Sequence, residues 1–162
     1  MKNRVFESFL GEPADGRQVF QVNTYGGHPA AAAVSVRNIE ILLEEKLAER
    51  SASMGAYLID TLKGRLMKHA VVGEVRGKGL LIGIELVADR ESRVQLDGPL
   101  VQGVVDHCRA NGVLVGRSAG GARHSNTIVL SPPLIITRSE CDTLVDTLDR
   151  ALEAATARMA GG

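Results

Sequence analysis

A chain of 162 residues is long enough to bury a core and fits one ordinary domain, or a small domain with an appendage. Its 19 basic and 19 acidic side chains cancel, so neither a nucleic acid nor an anionic membrane surface is the expected partner, since both need a basic face. No apolar run approaches the roughly 20 residues that cross a bilayer, and the start MKNRVFESFLGEP lacks a secretory h-region, so a cytoplasmic location is expected.

In chain order, VFESFL is a short apolar stretch followed at once by the loop-like GEPADGRQ, which reads as a cut edge. Pro29 then opens a helix, where its missing N–H is harmless. Val36, Ile39, Leu42, Leu43 and Leu47 recur at helical spacing, with Glu44, Glu45, Lys46, Glu49 and Arg50 on the other face. The pattern resumes with Met54, Tyr57, Leu58, Leu62 and Leu66. Gly55 and Gly64 cost about 1 kcal/mol each inside a helix, and a kink or break is predicted near Arg50 to Gly55.

From Ala70 the period changes. VVGEVRGKGLLIGIELV predicts two strands, Val71 to Arg76 and Leu80 to Val87, joined by a turn at Gly77-Lys78-Gly79. ADRESRVQ reads as a polar loop. Asp97 caps a helix whose apolar positions are Leu100, Val101, Val104, Val105 and Cys108, and Asn111-Gly112 supplies a left-handed stop. Val113 to Val115 is predicted as a short buried strand, GRSAGGARHSN as a flexible basic loop, and Thr127 to Ser131 as the next strand, closed by Pro132-Pro133. Thr137 and Glu140 form a capping box, and Leu144, Val145, Leu148 and Leu152 give the last helix its buried face.

This order predicts an α+β fold in which a long linking helix precedes a small, largely antiparallel sheet with helices packed on it. Cys108 and Cys141 both sit in helical patterns, so buried reduced thiols are expected, with no disulfide.

Most chemistry-bearing residue types point nowhere. RGKGLLIG has glycines between strand-like runs and no helix start to aim at an anion. His107 and Cys108 are adjacent, about 100 degrees apart on a helix, which is poor geometry for a nucleophile and its base. His28, His69, His107 and His124 show no metal-ligand spacing, and no metal is expected. NTYGGHP is different. It places a Thr hydroxyl and backbone N–H groups just before a helix start, which suits a phosphate, although on chemistry alone a plain helix entry is the commoner reading of such residues. Arg117 and Arg123 share one loop, where a guanidinium either clamps a carboxylate or stays solvated.

Four stretches taken together resemble the class III pyridoxal-phosphate-dependent aminotransferases, or ω-aminotransferases, of the aspartate-aminotransferase fold. They are NTYGGHPAAAA, VRGKGLLIGIEL, GVLVGR and LSPPLIIT, and they occur in family order across nearly the whole chain. The resemblance covers the carboxy-terminal third or so of a family member and implies three parts. Residues 1–33 are a remnant of the large cofactor-binding domain with its phosphate-contacting loop, 34–69 a linking helical region, and 70–162 the small domain.

It also implies site residues. Thr24 matches the threonine that reaches the cofactor phosphate of the neighbouring subunit in a homodimer, and Tyr25, Gly26 and Gly27 match its loop. Just before them, Phe20-Gln21-Val22-Asn23 lacks the His-Gly pair common in the family. The substrate-carboxylate arginine is Arg117 when anchored on GVLV, the preferred assignment, and nearer Arg123 when anchored on LSPPL. None of the five lysines, Lys2, Lys46, Lys63, Lys68 and Lys78, matches the family's Schiff-base lysine, so no catalytic residue is assigned. The expected activity is amino transfer between an amine or ω-amino acid and a 2-keto acid. The chain alone is expected to be inactive, needing a homodimer or a complementary amino-terminal portion. The competing expectation is a non-catalytic dimerisation or regulatory module of the same α+β fold.

Overall fold

The computed structural model describes residues 2–17, 23–118 and 125–160. Contacts divide the chain into two compact units, one up to Ile41 and one from Leu42 onward. The first holds a short helix α1 (Asn3–Glu7), a 3-10 turn at Pro13–Asp15, and most of helix α2 (Pro29–Glu44). None of its described residues is buried. The stripe predicted on α2 exists, but Val36 and Ile39 are exposed, and so is Leu43 further along the helix.

The second unit carries the core. Helix α3 (Leu47–Leu66) leads into strands β1 (Val72–Lys78), β2 (Leu81–Asp89) and β3 (Val94–Gln95), helix α4 (Gly98–Ala110), strands β4 (Gly116–Arg117) and β5 (Thr127–Leu130), and helix α5 (Arg138–Ala160). The strand order is β1-β2-β5-β4, with β3 on the end of β2, and every pairing is antiparallel. Ile82, Ile84 and Leu86 alternate inward along β2, and Ile128 and Leu130 do so along β5. They meet Leu58, Leu62 and Leu66 of α3, Val101, Val104 and Cys108 of α4, and Cys141, Val145, Leu148 and Leu152 of α5 in one cluster. The α+β reading of the sequence holds. Both cysteines are buried and free.

The elements depart from the sequence reading in four places. The helix breaks at Lys46, which is left-handed at φ 51° and ψ 45°, and not near Gly55. Gly55 instead lies inside α3, where the hairpin tip needs the space: a Cβ on it would overlap the backbone of Gly79. The hairpin turn falls two residues later than predicted, because Lys78 pairs with Leu81 and leaves Gly79-Leu80 as a two-residue loop. Gly79 at φ 56° supplies the positive torsion required at the first loop position. Val94–Gln95 pairs with β2 although ADRESRVQ reads as a loop. The short strand predicted at Val113 to Val115 is irregular, and pairing starts at Gly116, opposite Val129.

The caps follow the sequence. Asp97 accepts from the Gly98 N–H at 2.9 Å. Thr137 and Glu140 form the reciprocal box, with Thr137 N–H donating to the Glu140 carboxylate at 2.8 Å and Glu140 N–H to Thr137 Oγ1 at 3.3 Å.

The two α3 glycines should respond in opposite senses. Gly55→Ala is expected to lose about 1–3 kcal/mol through overpacking. Gly64→Ala, which meets no atom within 4 Å, is expected to gain about 0.5–1 kcal/mol. Urea midpoints at constant m-value measure both, and equal shifts of one sign would contradict the packing.

Candidate functional site

The loop singled out in the sequence forms a tight turn over Thr24 to Gly27. Gly26 N–H donates to the Asn23 carbonyl at 2.9 Å and His28 N–H to the Tyr25 carbonyl at 3.0 Å. Tyr25 at φ 63° and Gly27 at φ 77° both hold left-handed torsions, which for Tyr25 costs about 1–2 kcal/mol. The Tyr25 and His28 rings meet edge to face with centroids 6.2 Å apart. The His28 carbonyl accepts the first bond of α2, from Ala32 at 3.0 Å. Pro29 and the alanines therefore open the helix while the turn stands directly ahead of its N-terminus.

This arrangement fits one side of a phosphate. A threonine hydroxyl, a backbone bent through two left-handed residues and a helix N-terminus lie together, and no acidic side chain occurs between Asn23 and Val34. The residues that open the helix are thus also the ones whose arrangement suits an anion.

Arg117 lies in β4, in the other unit. Its Nε donates to the Ser125 carbonyl at 2.7 Å and its Nη1 reaches Gln102 Oε1 at 3.5 Å, while Nη2 is buried without a partner among the described residues. The guanidinium is thus anchored along one edge and keeps a spare donor. Arg123, the other arginine of that loop, and the Phe20-Gln21-Val22 segment before Thr24 lie outside the described residues. Among the described residues no group of three or more His, Cys, Asp or Glu side chains could hold a metal. No described helix is long and apolar enough to cross a membrane.

The titratable groups elsewhere serve packing. His69 Nε2 contacts Asp149 Oδ1 at 2.6 Å, and Lys68 and Arg65 bind Asp149 Oδ2 at 2.9 Å and 3.0 Å, tying α3 to α5. Burial alone would push the Asp149 carboxyl up, but the bonds from His69, Lys68 and Arg65 outweigh it and hold the group at about 2. Burial raises the Cys108 thiol to about 11, which leaves no thiolate for nucleophilic work.

Two guanidiniums that sequence patterning passes over each make more hydrogen bonds to the backbone than Arg117 does. Arg50 donates to the carbonyls of Leu134, Ile135 and Ile136 at 3.1, 2.9 and 3.0 Å. Arg90 donates to those of Val72, Met67 and His69 at 2.8, 2.6 and 2.6 Å. Periodicity assigns Arg50 to solvent and Arg90 falls in the predicted polar loop, and no local signal marks carbonyls 84 to 86 residues away for the one or 18 to 23 for the other.

Comparison with known proteins fits this architecture. Residues 2–152 match the family model for class III aminotransferases. The chain is 41% identical over 153 residues to the hypotaurine/taurine–pyruvate aminotransferase of Paracoccus denitrificans, covering 92% of this chain and 33% of that protein. It is 37% identical over 150 residues to the taurine–pyruvate aminotransferase of Bilophila wadsworthia, covering 91% and 33%. The crystal structure of a Bacillus anthracis aminotransferase superposes with a TM-score of 0.80 at 39% identity, covering 95% of this chain and 34% of that one. The fold is that of an aminotransferase small domain with its linking helix. The chain belongs to the class III aminotransferase family, and it spans about a third of the length of the curated relatives it matches.

The Asp149 cluster makes a pH prediction. The folded-state value lies below the unfolded one, so its stabilisation is present above about pH 4 and is lost as pH falls through about 2. Asp149→Asn is expected to cost about 2 kcal/mol at pH 7, with the difference shrinking as pH falls through about 2. Urea unfolding across that range measures it, and a pH-independent difference would overturn the assignment.

Proposed function

We propose that this chain forms the small domain and phosphate-contacting loop of a pyridoxal-phosphate-dependent transaminase. The reaction moves an amino group between an amine or ω-amino acid and a 2-keto acid, in the cytoplasm and in a homodimer. The observation that carries the reading is the Thr24–Gly27 turn, left-handed at Tyr25 and Gly27 and set directly before α2, in a chain of this family. The names of the two taurine–pyruvate relatives support an ω-amino acid as donor and pyruvate as the 2-keto acid.

When bound, the cofactor supplies the electron sink that amino transfer requires. On this reading the Thr24 hydroxyl and the Tyr25 and Gly27 N–H groups donate to its phosphate, while Gly26 N–H holds the turn through the Asn23 carbonyl. An arginine of the loop between β4 and β5 receives the substrate carboxylate through paired N–H donors. Arg117 is the preferred one, through its unpartnered Nη2, and Arg123 is the other. No lysine here matches the family's Schiff-base lysine, so the chain is inactive until an amino-terminal portion supplies one.

Two experiments test this. Mixed with pyridoxal phosphate and reduced with borohydride, the chain alone should yield no stable pyridoxyl-lysine, and a single modified lysine mapped by mass spectrometry would overturn its inactivity. Co-expressed with a class III amino-terminal portion, it should restore amino transfer from taurine to pyruvate. In that complex Thr24→Val should weaken cofactor binding about tenfold or more, as expected for loss of a hydrogen bond to a charged group. Arg117→Gln should raise the pyruvate KM by roughly 10- to 100-fold while Arg123→Gln should not. The reverse pattern moves the role to Arg123, and a folded but inactive complex favours a non-catalytic module.

A further inference from the structure

Helix α4 turns one amide toward the strand that carries Arg117. Gln102 and Asp106 stand one turn apart on α4, and Gln102 Nε2 donates to Asp106 Oδ1 at 3.0 Å. The other end of the same amide, Gln102 Oε1, accepts from Arg117 Nη1 at 3.5 Å, a long hydrogen bond to a residue 15 positions further along the chain. Both partners require the same orientation of the amide. A carboxylate oxygen accepts and takes the NH2 group, while a guanidinium only donates and takes the oxygen. The opposite orientation would set oxygen against oxygen and nitrogen against nitrogen. Asp106 thus aims Gln102 at Arg117.

The two partners of Arg117 share one property, which is that neither carries a charge. Nε donates to the Ser125 carbonyl at 2.7 Å and Nη1 to the Gln102 amide oxygen, and no carboxylate pairs with this guanidinium among the described residues. Where other described arginines of the unit hydrogen-bond to side chains, the acceptors are carboxylates: Asp146 and Asp149 for Arg65, Glu74 and Glu85 for Arg76. A neutral acceptor fixes a guanidinium without offsetting its charge. A carboxylate at the same point would form a charge-assisted pair and compete with an incoming anion.

We propose that Gln102 is a positioning residue for the substrate carboxylate. Aimed by Asp106, it holds Arg117 through a neutral oxygen and leaves the charge of the guanidinium to the keto acid. This rests on Arg117 being the carboxylate receptor.

The test uses the complex with a class III amino-terminal portion and two variants of similar length at Gln102, an exposed position of α4 that tolerates both. Gln102→Met removes the acceptor. Gln102→Glu keeps the acceptor and adds a charge. Gln102→Met should raise the pyruvate KM about two- to tenfold with kcat little changed, as for loss of a neutral hydrogen bond. Gln102→Glu should raise it about threefold or more, although it grips the arginine more firmly. The grip is read on the chain itself by NMR of the Arg117 Nε–H, its signal identified with Arg117→Gln. Exchange of that proton with solvent should be faster in Gln102→Met and slower in Gln102→Glu. A purely structural hold predicts a firmer grip and an unchanged KM in Gln102→Glu. An unchanged or lower pyruvate KM in either variant overturns the proposal, as does an exchange rate that Gln102→Met leaves unaltered. In those cases Arg117→Gln still raises the KM and the receptor stands. If Arg117→Gln leaves the KM unchanged, or the complex is inactive, the receptor assignment falls and this inference with it.

Discussion

The contact on which the unit from Leu42 onward depends is the close approach of Gly55 on α3 to Gly79 at the hairpin tip. Neither position has room for a side chain, and Ser51 Oγ accepts from the Leu80 N–H at 3.3 Å beside them. This fixes where the β1–β2 hairpin ends against the helix. Strand side chains alternate with a period of two, so fixing the tip also fixes which face of β2 looks inward. Ile82, Ile84 and Leu86 then meet the three helices, while Leu81 and Glu85 stay outside the core. A slip of one residue would exchange those two sets.

Both ends of α3 are tied by arginines whose targets are backbone carbonyls. Arg90 gathers the carbonyls of Met67 and His69, just beyond the helix C-terminus where the negative end of the dipole favours a cation, and that of Val72 at the start of β1. Arg50 holds the segment Leu134 to Ile136, which connects β5 to the capping box of α5. Together with the Asp149 cluster they join helix to helix and helix to loop around a continuous core. The unit up to Ile41 has no comparable fastening among its described residues, and its apolar side chains Val5, Phe6, Val34 and Ile39 are exposed.

Local chemistry was legible in the sequence wherever one residue decides the outcome. Pro29, Asp97, Gly112 and the Thr137–Glu140 box mark helix ends because each supplies or removes a single backbone partner. Tertiary choices were not. Gly55 looks like a helix breaker until the hairpin needs its missing side chain. Lys46 looks like an ordinary helical residue yet takes the left-handed conformation at the break. Val94–Gln95 is too short for periodicity to reveal, and it exists because the end of β2 offers it a partner. At the candidate site the turn before Pro29 was readable from its glycines. The anchoring of Arg117 by Ser125 was not, because that bond depends on how the loop returns to β5.

The Thr24 turn and the sheet unit illustrate two ways of meeting polar demand. In the sheet unit, the Arg50 and Arg90 guanidiniums and backbone carbonyls satisfy one another within the fold. The turn holds Tyr25 in a strained conformation beside a hydroxyl and a bent backbone, offset in part by the edge-to-face contact of Tyr25 with His28. A phosphate carries three terminal oxygens with several acceptor sites, more than one hydroxyl and a few amides can satisfy. Such a turn holds its ligand weakly by itself and strongly when a second set of donors closes on the other side. On the proposed reading, the strain at Tyr25 is preorganisation for a phosphate that needs donors besides those of the turn.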